Sequence, residues 1–181
     1  IRLMLTPGSP LYEEIPFLLR EEFREPRVYF AILAAIAAGA ERFSEISSKT
    51  GVERANLTRY LGELADIGLI KREVPITQRM PDKSRLGLHR IVDPFTRFWF
   101  RFVFPHRSFI TQRGASAAYS TLVGPELEAW AGHSFERLCR SRLPAILGAE
   151  GVSAGVEVNQ PWIAGTSFLS LTTKQRGLEM P

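Results

Sequence analysis

Asn56, Thr58 and Arg59 stand within four residues of one another, interleaved with Leu57 and Leu61. These side chains suit base edges and phosphates. An Asn amide forks onto adenine and an Arg guanidinium onto guanine or phosphate, a good bidentate pair discriminating by roughly 1–3 kcal/mol. Arg54 precedes them, and Lys71, Arg72, Arg79, Lys83 and Arg85 follow in a stretch with turn and strand character. From Arg54 to Arg113 twelve Arg or Lys stand against five Asp or Glu, a net of +7 where the whole chain carries +4. Five cations on a projecting hairpin would lie along phosphates, and five engaged phosphates give a slope of log affinity on log salt of about −4 to −5. The competing reading is a solvated hairpin edge whose charges discourage strand pairing. The DNA-contacting set expected is therefore Arg54, Asn56, Thr58, Arg59, Lys71, Arg72, Arg79, Lys83 and Arg85, with double-stranded DNA as the ligand.

The elements that must hold these residues follow from apolar spacing. Val28 to Ala38 reads as a helix apolar nearly all round, ended by Gly39. Ser44 is placed to cap the next helix, with Ile46 as its inward anchor and Gly51 as its stop. A third helix over about 53–67 buries Leu57, Leu61 and Leu64 and ends at Gly68. Its opposite face holds Ala55, Arg59, Gly62 and Asp66, with Asn56, Thr58 and Glu63 at the margins. Ala55 and Gly62 are small enough for close approach to a groove. The N-terminal turns of such a helix reach the bases, which leaves Glu63 and Asp66 further away. Leu69 to Ile76 and Arg85 to Ile91 read as strands around the turn Met80-Pro81-Asp82-Lys83-Ser84. Helix, helix, turn, helix, hairpin is the winged helix-turn-helix plan, with a recognition helix at about 53–67 and a basic wing at about 71–90.

Composition narrows the alternatives. The 181 residues are 45% hydrophobic, 10% aromatic and 23% charged, as in a folded chain rather than a disordered or collagen-like one. The pI near 9.6 reflects a modest excess of cations, so only their distribution carries weight. A lone cysteine, Cys139, excludes an intrachain disulfide and a cysteine metal cluster, and its apolar surroundings read as core. His89, His106 and His133 have no partner ligand at helical spacing, so neither metal nor cofactor is expected. The most apolar run, Val28 to Ala40, is too short for a bilayer, and no leader pattern opens the chain. No membrane partner and a cytoplasmic location are expected. The chain starts at Ile1, which suggests a piece of something longer.

Beyond the hairpin, Asp93-Pro94 is a cap followed by proline at the first helical position. Phe95, Phe98, Trp99 and Phe102 then fall on one helical face, which suits a core or domain interface better than base stacking. Gly124-Pro125 opens a long helix with Leu127, Trp130, Ala131, Phe135, Leu138 and Cys139 inward, and Pro144 kinks or restarts it. Val152, Ala154, Val156 and Val158 alternate as in a strand. The domain reading is 1–26 linker or end of a preceding module, 27–92 winged helix-turn-helix, 93–123 aromatic helix and connector, and 124–181 a further domain.

Leu18 to Arg27, the winged-helix core, Arg72 to Thr77, Lys83 to Leu88, and above all Asp93 to Val103 resemble the C-terminal region of archaeal-type AAA+ ATPases. The likeness spans about Ser9 to Trp162. It implies that 1–26 is a linker or the end of an ATPase module, that the winged helix follows, and that 124–181 is a truncated domain of unknown function resembling PD-(D/E)xK nucleases. The fold class expected is thus mainly α with small β, a winged helix-turn-helix followed by a mostly helical, incomplete nuclease-like α/β domain. Glu136 matches the family's helix acid, and Glu157-Val158 with Trp162 its following strand. The Ile-Asp and Glu-x-Lys strands that complete a magnesium site are missing, and the tail after Trp162 reads as truncated or frame-shifted. One carboxylate does not hold Mg²⁺. No Gly-x-x-x-x-Gly-Lys-Ser/Thr loop occurs either, so neither nuclease nor ATPase chemistry is expected of this chain. The partner implied is an AAA+ ATPase module, in the full-length protein or another subunit. The alternative to DNA binding is a protein-docking module of such an ATPase.

Overall fold

A computed structural model describes residues 1–74, 87–149, 156–159 and 170–173. They form a mainly helical chain with small antiparallel sheets. Contacts divide the chain into two compact units, the first holding the described residues up to Glu128 and the second those from Ala129 on.

In the first unit a short 3₁₀ turn, Arg2–Leu5, leads into α1, Pro10–Glu22. The Ser9 hydroxyl accepts from the Tyr12 N–H and Pro10 takes the first helical position, the pairing that starts a helix. Residues 1–26, read above as a linker or the end of another module, contribute Leu5, Tyr12, Ile15 and Leu19 to the core.

The central helix α2, Pro26–Ala37, buries Tyr29, Ile32, Leu33 and Ile36 and packs on α1, on α3 and on the hairpin. Beyond Gly39 the chain extends through Glu41 and Arg42 into α3, Phe43–Thr50. This helix begins two residues earlier than a Ser44 cap would require, with Arg42 in the cap position. Arg42 is held extended by a bridge to Leu88, and its N–H donates to the Glu45 carboxylate at 3.1 Å.

The turn into α4, Arg54–Asp66, depends on Gly51 at φ +71°, and the exit depends on Gly68 at φ +74°. After Gly68, β1 (Ile70–Glu73) pairs antiparallel with β2 (Leu88–Ile91), Ile70 opposite Ile91 and Arg72 opposite His89. The Arg42–Leu88 bridge and the His89 N–H to Glu41 C=O bond, 2.8 Å, add the preceding segment on the other side of β2.

Asp93 caps α5, Pro94–Phe98, by accepting from the Thr96 N–H at 2.6 Å and the Thr96 hydroxyl at 2.8 Å. The helix then widens into a π turn, Trp99–Val103. Widening explains a departure from the helical face expected of the aromatics. Phe98, Trp99, Phe100, Phe102 and Val103 are all buried, while Phe95 is only partly so. The run is core. The Trp99 Nε1–H donates to the Tyr12 carbonyl at 3.0 Å, tying α1 to this segment. A 3₁₀ turn (Phe104–His106), α6 (Arg107–Ala118) and a second π turn (Tyr119–Val123) complete the first unit with the start of α7, Gly124–Ala149.

The second unit holds the rest of α7 and one antiparallel pair, β3 (Val156–Asn159) with β4 (Ser170–Thr173). The first of these strands was expected from alternation and the second was not. Helix α7 runs through Pro144 to Ala149. Its inward face is not as expected, for Phe135, Leu138 and Cys139 are exposed. Periodicity shows that a helix has an apolar stripe, not that the stripe is buried. Trp162 lies outside the described residues, among which no helix is long and apolar enough to cross a membrane.

Candidate nucleic-acid interface

Helix α4 divides sharply. Leu57, Leu61 and Leu64 are sealed in the core, whereas Arg54, Ala55, Asn56, Thr58, Arg59, Gly62 and Asp66 are exposed. Four of the sequence-predicted residues, Arg54, Asn56, Thr58 and Arg59, therefore come together on one helix and face outward. A Cβ added at Gly62 would meet nothing within 4 Å, so this face is smooth as well as polar.

Local contacts set the pose of each side chain. The Thr58 hydroxyl donates to the Arg54 carbonyl at 3.2 Å. The Arg54 guanidinium lies 5.6 Å from the Phe43 ring centroid, joining α3 to α4. Arg59 Nη1 donates to Glu63 Oε1 at 3.0 Å, and its guanidinium sits 4.3 Å over the Tyr60 ring. The second Glu63 oxygen accepts from the Tyr29 hydroxyl. Hydrogen bonds from Tyr29 and then Arg59 hold the Glu63 carboxyl below its usual range, while burial and Glu63 push the Tyr29 hydroxyl up.

On the hairpin, Lys71 and Arg72 are consecutive in β1 and so project to opposite faces. Lys71 Nζ lies 2.6 Å from Glu73 Oε1. Arg90 sits between Glu73 and Glu41, 3.3 Å from each. Arg72 crosses Gly87 so closely that a Cβ there would fall 2.5 Å from its Nε. Opposite Arg72, His89 is buried, and desolvation with the Arg72 charge lowers its pKa to about 4. Arg79, Lys83 and Arg85 lie outside the described residues.

Sequence reasoning missed Tyr29, Glu63, Tyr60, Gly87 and His89. Arg59 and Glu63 at i, i+4 were a visible signal. The Tyr29 link runs between residues 34 apart and left no local trace.

An outward polar helix beside an antiparallel hairpin defines a winged helix-turn-helix module, the architecture that places a helix in the DNA major groove. The family described as the IclR helix-turn-helix domain matches residues 28–73, which spans α2 through β1. A family described as archaeal and bacterial proteins of unknown function matches residues 99–166. An uncharacterized protein of Methanocaldococcus jannaschii is 40% identical over 104 residues, 58% of this chain and 23% of that protein. The chain thus spans under a quarter of the length of that relative. No solved structure matches.

Proposed function

We propose that the chain is a DNA-binding winged-helix module, with α4 as recognition helix and the hairpin from Lys71 to Arg90 as the basic wing. The observation that carries this is the outward face of α4, where Arg54, Asn56, Thr58 and Arg59 are exposed and Ala55 and Gly62 leave room for a groove. Asn56 and Arg59, in the first two turns of α4, would read base edges or a phosphate, and the wing cations would engage phosphates.

The role is binding; the sequence carries no phosphate-binding loop, so nucleotide hydrolysis of that kind is not assigned to it. The resemblance to archaeal-type AAA+ ATPases supports an AAA+ module as its companion, and DNA binding fits a cytoplasmic setting. A second reading, docking onto such a module, is favoured by Leu3 and Phe17, which are 57% and 64% exposed beside the core.

Fluorescence anisotropy with duplex DNA across a salt series separates the two readings. Arg59→Ala should weaken binding about tenfold if its guanidinium forks onto a base or phosphate. Lys83→Ala with Arg85→Ala should flatten the salt slope by about 1.8, two phosphates at about 0.9 each. No binding by the wild-type chain would leave the docking reading.

A further inference from the structure

Tyr29, Glu63 and Arg59 form a chain of contacts that begins in the core and ends on the outer face of α4. The Tyr29 ring is stacked on Phe23 with centroids 3.6 Å apart and meets Tyr60 edge-on at 5.2 Å. Its hydroxyl therefore has little freedom, and it donates to one oxygen of Glu63. The other oxygen takes Arg59 at 3.0 Å, so the carboxylate cannot turn without losing a partner. Arg59 is confined a second time by the Tyr60 ring beneath its guanidinium. An exposed arginine ordinarily samples many rotamers, and ordering it on binding costs affinity that preorganisation restores.

We propose that Glu63, clamped by Tyr29, is a positioning residue that presents the Arg59 guanidinium in one pose to DNA and restrains it from indiscriminate phosphate contact. This rests on the DNA-binding reading above. The carboxylate does two things at once. It fixes the direction of the guanidinium, and it sets a negative charge where a misplaced backbone phosphate would otherwise be welcome. Specificity then depends on a buried tyrosine on α2, a helix that does not itself carry the outward polar face.

The test uses the full chain, a randomised duplex pool, and the sequence that the wild type selects from it. The ratio of affinities for selected and unselected duplex is the readout. Tyr29→Phe keeps the stacked ring and removes only the hydroxyl, and it should lower that ratio about tenfold, the scale of one lost bidentate contact. Glu63→Gln should lower it as far, tighten binding to the unselected pool and steepen the salt slope by about 0.9 as Arg59 finds a phosphate. A purely structural role would lower thermal stability and leave ratio and slope unchanged, and that result overturns the proposal. So does a wild type that binds duplex but selects no sequence. A wild type that binds no duplex at all removes the DNA-binding reading and this role with it.

Discussion

Trp99→Ala should destabilise the first unit by about 3–5 kcal/mol, the range for removing a large aromatic from a sealed core. Trp99 has no exposed surface, and its ring is grouped with Phe30, Phe100 and Phe104. Its Nε1–H also closes the bond to the Tyr12 carbonyl, so the substitution strips a buried acceptor of its partner. Against a typical domain stability of about 5–15 kcal/mol, the loss is a large fraction. Urea unfolding followed by circular dichroism reads it without relying on the tryptophan removed. Trp99→Phe keeps most of the apolar contact and should cost less than half as much. A loss below about 1 kcal/mol for the alanine variant would mean that the aromatic run is not the core described.

The second large effect is acid lability through His89. Its folded pKa of about 4 lies below the ordinary imidazole value of 6.5, because burial and the Arg72 cation both oppose the charged form. Above pH 6.5 the ring is neutral in both states and contributes no pH dependence. As pH falls toward 4 the unfolded chain takes up a proton that the folded chain refuses, so stability drops. At about 1.36 kcal/mol per unit the loss approaches about 3 kcal/mol by pH 4. Glu63, held low by its partners, adds a loss of the same sign at more acid pH. His89→Leu should flatten the profile between pH 6.5 and 4, leaving the carboxylate contribution below. An unchanged profile would show that His89 is not the group responsible.

How far the sequence foretold these features depended on distance along the chain. Gly39, Gly51 and Gly68 ended helices where expected, because a left-handed residue after an apolar stripe is a local event. Asp93 capped α5 for the same reason. Leu57, Leu61 and Leu64 went inward, and Arg54, Asn56, Thr58 and Arg59 outward, as a period of 3.6 requires.

What failed depended on partners remote in sequence. The bridge from Arg42 to Leu88 moved the start of α3 away from Ser44. Phe135, Leu138 and Cys139 have an apolar pattern that is not buried. A π turn let Phe100 bury beside Trp99, which a uniform helical wheel does not allow. On the candidate interface, spacing supplied the cations and the i, i+4 pairing of Arg59 with Glu63. Tyr29 reaches Glu63 across 34 residues, and only three-dimensional packing reveals that the carboxylate is itself held.

Photo-crosslinking from position 55 asks whether duplex DNA lies against the outer face of α4. Cys139 is exposed, so a Cys139→Ser background is needed before Ala55→Cys is labelled with a photoreactive group. Ala55 is itself exposed on the outer face of α4, next to Asn56. A covalent adduct with duplex DNA, competed away by unlabelled duplex, is the expected result. No adduct from that position, under conditions where the protein still retards the duplex, would place the DNA elsewhere and contradict it.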